Sequence, residues 1–373
     1  MDFPTTRWTQ IADELGPTFA ERAAKYDESD AFVAENYAEL KARKLFAAGV
    51  PEELGGGGAT PADLAGMLRT LAHYCSSTAL AFSMHTHLVG MLSWRWRNQK
   101  APVDGVLKRI ANEDLILVST GGADWLQGSA KAVKVEGGYR VTGRKIFCSG
   151  APAGSLMMTT AVFDDPTDGP SVLQIGLPIA SPGVKIQDNW RTLGMRATGS
   201  HDITLDDVFV PDAAVSLKRR SGKWHPIIDI ITLVNVPIFN SVYVGVAEAA
   251  RETALEMAKR KRDDRHTQSL AGEMDNELTA AQLALARMIE LAMTAQPSAA
   301  SSTENMRCRA LLGRSTRACV DKAMELAGGN SFYRANKLER LFRDIQGVRF
   351  HPLQDKPQAV MAGRYALGLS FDE

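Results

Sequence analysis

Between about residues 116 and 220 the chain runs as short, β-branched, alternating segments (LILVST, AKAVKVEGGYRVTGRKIF, SLMMTTAVFDD, SVLQIGLPI, GVKIQD, HDITLDDVFVP), none separated from the next by a helix long enough for a βαβ crossover. This disfavours a parallel, doubly wound sheet, and neither GxGxxG nor GxxxxGK[ST] is present to argue for one. Alternation on both sides of Gly137-Gly138 predicts a hairpin with a two-residue turn there, and a β-barrel or sandwich as the closure of these strands. On either side the period changes from two to between three and four, and Ala, Leu, Glu, Lys and Arg take over. Within the first helical stretch VPEELGGGGAT reads as a loop: Gly55 to Gly58 stop one helix, and Thr60-Pro61 suits the N-cap and first turn of the next. After about 226 the segments FNSVYVGVAEAARETALEMAKRKRDD, NELTAAQLALARMIELAMTAQ, STENMRCRALLGRSTRACVDKAMELAGG and a last one after DKPQ predict a four-helix bundle, with QPSAASSTEN as a polar linker. The expected class is α+β multidomain: an N-terminal helical domain over 1–115, a middle β-barrel domain over 116–222 and the bundle over 223–373.

Charge and composition narrow the function. The 43 Lys and Arg balance the 43 Asp and Glu, so no excess is available for a phosphate backbone or an anionic bilayer, and neither nucleic acid nor membrane is an expected partner. Four cysteines without a CxxC pair and seven histidines support neither a disulfide framework nor a zinc site. MDFPTTRWTQIADEL lacks the charged and apolar regions of a signal peptide. The most apolar stretch, 227–239, is interrupted by Asp229, Asn235 and Pro237 and falls short of about 18 clean residues for a span. A cytoplasmic protein is expected.

Four segments at matching places along this order resemble the acyl-CoA dehydrogenase superfamily of flavoproteins: VPEELGGGG, GGYRVTGRKIFCSGAPAG, LGMRATGSHDITLDDVFVP and ELAGGNSFYRANKLERLFRD. The resemblance covers nearly the whole chain. It implies a flavin between the β domain and the C-terminal bundle, with Lys145 to Ser149 packing on the ring system. Phe147 would stack on it and Ser149 would donate toward its N5 side, where many relatives have Trp and Thr. Ser119 and Thr120, in Leu117 to Gly122, stand where relatives carry a TEP-type loop against the ring. Gly328 and Gly329 imply a backbone approach to the flavin diphosphate of a neighbouring subunit, hence a homo-oligomer, expected to be a tetramer. Arg265 stands where dehydrogenases carry an RxxFG-type stretch that reaches the adenosine of FAD; the Phe-Gly is missing, so FAD is the expected cofactor with FMN as the alternative.

One departure decides the chemistry. Acyl-CoA dehydrogenation needs a carboxylate to take the α-proton as hydride leaves the β-carbon. Relatives carry that Glu nine residues after the Arg of the RLxRD-type segment, which lands here on Pro352, or about ten residues before the Gly equivalent to Gly245, which lands on Asn235. Neither is a base; Asp355 and Asp229 are the nearest carboxylates that displacement could bring in. His351 precedes Pro352, and a His-Pro in this loop resembles the flavin-dependent monooxygenase branch, in which reduced flavin from a separate reductase meets dioxygen on a small aromatic or heteroaromatic substrate. That chemistry asks for hydrogen-bond donors and exclusion of water. His351, Ser149 and either His85 or His87, only one of which shares the right helix face, form the expected donor cluster; His85 or His87 could equally be a satisfied core imidazole. Arg196 and Ser200 stand where relatives approach substrate, with a strand-end salt bridge as the competing role for Arg196. The expected function is a flavin-dependent oxidoreductase of monooxygenase type. The alternatives are an acyl-CoA dehydrogenase with a relocated base and a flavin-free assembly protein.

Overall fold

The computed structural model describes residues 5–120 and 124–372. Gly121, Gly122 and Ala123, at the end of the loop that carries Ser119 and Thr120, lie outside the described residues. Helices α1 (Arg7–Ser29), α2 (Ala34–Ala42), α3 (Pro61–Tyr74), α4 (Ser76–Gln99) and α5 (Asp104–Glu113) come first. As the sequence predicts, Thr60 caps α3: its hydroxyl accepts from the Asp63 N–H at 3.1 Å, the Asp63 carboxylate returns the bond to the Thr60 N–H, and Pro61 occupies the first turn. The glycine loop before it turns through Gly55 at φ 89° and Gly58 at φ 67°.

The strands are β1 (Leu117–Ser119), β2 (Ala130–Val135), β3 (Gly138–Lys145), β4 (Leu156–Asp165), β5 (Gly169–Pro178), β6 (Val184–Ile186), β7 (Ile203–Pro211) and β8 (Val215–Arg220). They form one mixed sheet in the order β6-β7-β3-β2-β4-β5-β8, with β1 alongside β4. The β2–β3 hairpin turns on Glu136 and Gly137, one residue earlier than the sequence predicts, because Val135 pairs with Gly138. Gly138 is already in the ladder, where a Cβ would sit 2.2 Å from the Val210 carbonyl. Of the two closures expected, barrel or sandwich, the hydrogen-bonded barrel is corrected to an open sheet whose two halves pack on each other. Among the described residues no pairing joins β6 to β8, and the two halves meet through only two parallel pairs, Lys131 with Val162 and Ala132 with Phe163. Side chains of both halves fill the space between them, including Val141 and Val208 from one and Met157 and Leu173 from the other, so a core closes the domain without hydrogen-bonded closure.

The second helical part holds α6 (Pro226–Ile230), a π turn (Ile231–Asn235), α7 (Val236–Ala258), α8 (Arg265–Thr294), α9 (Ala299–Ala327), α10 (Lys337–Ile345) and α11 (Asp355–Ala366). Ser298 in the expected linker is the N-cap of α9, so helix begins inside that segment. The run from Pro226 to Lys261 is continuous and apolar enough by length and composition to cross a bilayer, a correction to the shorter interrupted stretch expected. Its apolarity has another cause here: 94% of its most apolar 18-residue stretch is buried inside the molecule. α3 and α7 touch through Gly245, where a Cβ would lie 2.2 Å from the Arg69 carbonyl and 2.9 Å from the Ala72 Cβ. Gly245→Ala should therefore cost about 1–3 kcal/mol, read as a lower urea midpoint; an unchanged midpoint would mean the helices can part without loss.

The LERLFRD segment clamps the three parts. Arg343 on α10 donates to both carboxylate oxygens of Asp27 on α1, at 2.9 and 2.6 Å, and to the Leu193 carbonyl at 3.2 Å. Asp344 accepts from the Met195 N–H at 2.5 Å and from the Ser76 hydroxyl. Sheet and helices held together in this way enclose a cavity between them.

Candidate active site

The cavity, of about 160 Å³, opens where α4, the sheet and the α6–α7 run meet. Its helix wall carries Met84, His87, Met91, Asn235 and Phe239; its sheet wall carries Ser119, Met158, Thr159, Thr160 and Arg219; His351 and Pro352 lie at its edge. Asn235 closes the π turn, whose i→i+5 bonding leaves carbonyls to be satisfied from outside. The Asn305 amide supplies this, donating to Thr232 O at 2.6 Å and Leu233 O at 3.4 Å. Buried polar atoms normally find partners. Four that have none, His87 Nδ1, Thr159 Oγ1, Arg219 Nε and Asn235 Oδ1, belong to residues of this cavity.

His351 is held from three sides. The Tyr243 hydroxyl lies 2.6 Å from its Nε2. Its ring stacks on Phe239 at 5.0 Å, and its carbonyl accepts from Arg309 at 2.7 Å. Arg309 is 1% exposed and also donates to Val348 O at 3.0 Å, pinning the loop that carries the histidine. Burial pushes the Tyr243 phenol well above its ordinary range, so it keeps its proton and can donate it to Nε2. Burial, aided by Arg309, pushes His351 down to about 3. A neutral ring that accepts at Nε2 carries its proton on Nδ1, leaving an N–H donor for the cavity. Phe239 and Tyr243 are four residues apart on α7, a spacing that could have marked them as one face; nothing in the sequence marks Arg309.

Burial likewise lowers His85 to about 4 and His87 to about 3. All three imidazoles fold neutral, whereas an unfolded imidazole titrates near 6.5. As pH falls, the unfolded chain takes up protons first, so their stability is complete above about 6.5 and drains away toward 3. The urea midpoint should stay level from pH 7 to 8.5 and decline between about 6.5 and 4.5, above the range of ordinary carboxylates; a level midpoint to pH 4.5 would show that these rings accept charge in place.

The sequence places Lys145 at the head of the segment packing on the flavin, whereas the structure turns its side chain into a polar cluster under the sheet wall. Lys145 Nζ, fully buried, donates to Asp124 at 2.8 Å and Ser129 at 2.9 Å, with Thr160 at 3.5 Å. The Thr160 hydroxyl also donates to Asp124 at 2.5 Å. Asp124 is the one carboxylate among the described cavity residues, and Lys145, Ser129 and Thr160 all donate to its Oδ2.

Phe147 stands away from the cavity, 53% exposed, in the left-handed region at φ 56°, and edge-on to Trp190 at 5.7 Å. A strained, exposed aromatic beside exposed Ile146 fits one face of a planar ring system. Ser149 is buried and shares a 2.7 Å hydrogen bond with Ser200, which meets Thr198 at 2.6 Å. Both hydroxyls belong to that chain and not to the cavity lining, which removes Ser149 from the donor cluster and Ser200 from the substrate wall. Ser119 lines the cavity, and Thr120 beside it donates to Met158 O at 3.2 Å.

Other expectations are corrected. His85 is a satisfied core imidazole: Nε2 meets Phe46 O at 2.8 Å and Nδ1 accepts from the Leu117 N–H at 2.9 Å, while His87 faces the cavity. Asp355 is half exposed, lies off the cavity wall and faces Arg309 at 3.6 Å and Arg317 at 3.7 Å, so it is not a relocated base. Asp229 accepts from the Trp224 indole at 3.0 Å and the Ser302 hydroxyl at 2.6 Å. Arg196 pairs with Asp30 at 2.6 Å, away from the cavity. The roles expected of Arg265, Gly328 and Gly329 toward a neighbouring subunit are not among these corrections: Arg265 opens α8 on the exposed surface, Gly328 caps α9, and Gly328 and Gly329 have open space around them.

Family models for the N-terminal, middle and C-terminal domains of acyl-CoA dehydrogenase match residues 10–101, 119–208 and 238–356 respectively. The chain belongs to the acyl-CoA dehydrogenase superfamily. It is a flavin-dependent oxidoreductase. A putative acyl-CoA dehydrogenase, YdbM of Bacillus subtilis (strain 168), is 28% identical over 94% of this chain and 93% of its own. Dibenzothiophene monooxygenase of Mycolicibacterium goodii is 26% identical over 97% and 94%. The structure of KijD3 in complex with FMN and dTDP-3-amino-2,3,6-trideoxy-4-keto-3-methyl-D-glucose superposes with a TM-score of 0.88 at 26% identity, covering 99% of this chain and 96% of that one. Within the acyl-CoA dehydrogenase frame, Pro352 and Asn235, the residues at the two usual base positions, both lie on the cavity. The cavity thus carries both residues counted to the usual base positions, and its one carboxylate among the described residues, Asp124, is engaged by Lys145, Ser129 and Thr160.

Proposed function

We propose that the protein is the oxygenase component of a two-component flavin monooxygenase acting on a small aromatic or heteroaromatic substrate. The observation that carries this reading is a cavity whose one carboxylate is bound to a lysine and whose lining includes a neutral imidazole held by Tyr243. Phe147, Ser149, Ser119 and Thr120 are the residues that would hold the flavin. When bound and reduced, the flavin supplies the two electrons that let one atom of dioxygen enter the substrate while the other leaves as water. The chain's own residues do the rest. His351 donates through Nδ1 toward the reacting oxygen, Tyr243 fixes the tautomer, Arg309 fixes the loop, and the Met84, Met91 and Phe239 side chains exclude water.

The FMN in KijD3 and the missing Phe-Gly after Arg265 support FMN over FAD. Phe332 (84% exposed), Tyr333 (69%) and Leu367 (77%), large apolar side chains on the C-terminal helical part, support a homo-oligomer, which we take to be a tetramer in the cytoplasm served by a separate reductase. Light scattering should give a tetramer mass; a monomer would remove the neighbour-subunit role of Gly328 and Gly329. The functional test supplies reduced FMN from a reductase, labelled dioxygen and a panel of single- and fused-ring substrates. Labelled oxygen in the product is expected. Anaerobic bleaching of bound flavin by an acyl-CoA would overturn the reading in favour of a dehydrogenase.

A further inference from the structure

The sheet wall of the cavity carries more positive charge than its one acid can neutralise. Arg219 on β8 is 4% exposed and lines the cavity. Its guanidinium donates to Leu126 O at 3.0 Å and to the Asp124 main-chain O at 3.0 Å, and its Nε has no partner. None of these bonds is to a carboxylate. The Asp124 side chain is instead engaged by Lys145 at 2.8 Å and Thr160 at 2.5 Å. Lys145, with Asp124, Ser129 and Thr160 around its three N–H directions, has the surroundings of an ammonium. Off the cavity wall, Asp229 is committed to Trp224 and Ser302, and Glu248 is tied to Arg69, His73 and Gln282. Two buried cations thus share one buried carboxylate. A buried charge without a counter-charge costs several kcal/mol, and an anion placed beside it offsets that cost.

We propose that the cavity takes a substrate bearing a carboxylate or a kindred oxyanion, held by Arg219 on the sheet wall with its apolar body against Met84, Met91 and Phe239. This deepens the monooxygenase reading and rests on it for calling the bound molecule a substrate. Size sets the class further: the cavity of about 160 Å³ is close to the ~150 Å³ known to admit a benzene ring, so the body is one ring or a short chain. His87 Nδ1 and Asn235 Oδ1, both without a partner, belong to residues of the facing wall.

The test is a calorimetric titration of the FMN-loaded protein with benzoate, benzenesulfinate and benzamide. A hydrogen bond to a charged group is worth about 1.5–3 kcal/mol, so at least one of the two anions should bind about tenfold or more tighter than the amide. Which anion leads separates a carboxylate from a sulfur oxyanion. Arg219→Gln should abolish the preference while changing benzamide and FMN affinity by less than about threefold; Arg219→Lys should keep part of it. Equal affinity for benzamide and both anions in the parent protein overturns the proposal whatever the variants do. So does a preference that survives in Arg219→Gln, or competition between benzoate and FMN, which would put Arg219 in the flavin's site. The titration requires no turnover: a protein that binds anions without oxygenating anything would sink the monooxygenase reading and leave this one standing.

Discussion

His351→Ala is expected to lower product formation by about a hundredfold, the effect of removing one preorganised donor, while FMN affinity stays within a few fold. Oxygen consumption should continue, with its electrons diverted to hydrogen peroxide. Tyr243→Phe should give a milder form of the same defect, about tenfold, because it removes the hydroxyl 2.6 Å from Nε2 and frees the ring to change tautomer without removing it. The peroxide-to-product ratio is the readout that separates this role from a structural one. Loss of stability with an unchanged ratio would assign both residues to packing alone. No ionisation of His351 should appear in the activity profile between pH 5 and 9, since burial holds it down to about 3.

The second large effect concerns folding. Asp124→Ala leaves Lys145, which has no solvent exposure, without its carboxylate and strips Arg219 of its nearest counter-charge. Breaking a buried pair from one side typically costs about 3–5 kcal/mol, and the urea midpoint should fall accordingly. Replacing both members, Asp124→Leu with Lys145→Met, should destabilise less than the sum of the single changes, since it removes the stranded charge. Additive losses would show that the two groups do not depend on each other.

Much of the architecture was legible because it is written in local pattern. The α, β, α order follows from period and composition, and the α3 cap from Thr60-Pro61. The His-Pro at 351 and the empty base positions at 352 and 235 come together on one cavity, as counting from the RLFRD and Gly245 landmarks implied. What failed was of another kind. Whether His85 or His87 faced the cavity depended on the Phe46 carbonyl and Leu117 amide, tens of residues away in sequence. Arg219 and Arg309 are ordinary charged residues in any linear reading, and Lys145 reads with the flavin segment and not with Asp124; only the fold shows them buried. Ser149 and Ser200 looked like site hydroxyls, and the structure has them bonded to each other. The openness of the sheet was likewise invisible, since strand pattern says nothing of which edges meet.

The π turn at 231–235 has a bearing on how this cavity could change over evolutionary time. Such a turn holds one residue more than the α-helix on either side of it, so it behaves as a single inserted residue absorbed without disturbing the helix beyond it. Removing one residue from it would restore an unbroken helix and leave Val236 onward in the same packing. It would also return the carbonyls of Thr232 and Leu233 to ordinary helical bonding, idle Asn305 and withdraw Asn235 from the wall. One codon lost or gained thus exchanges the side chain presented to the substrate while Phe239, Tyr243 and the rest of α7 keep their neighbours, a short route to new substrates on a fixed scaffold.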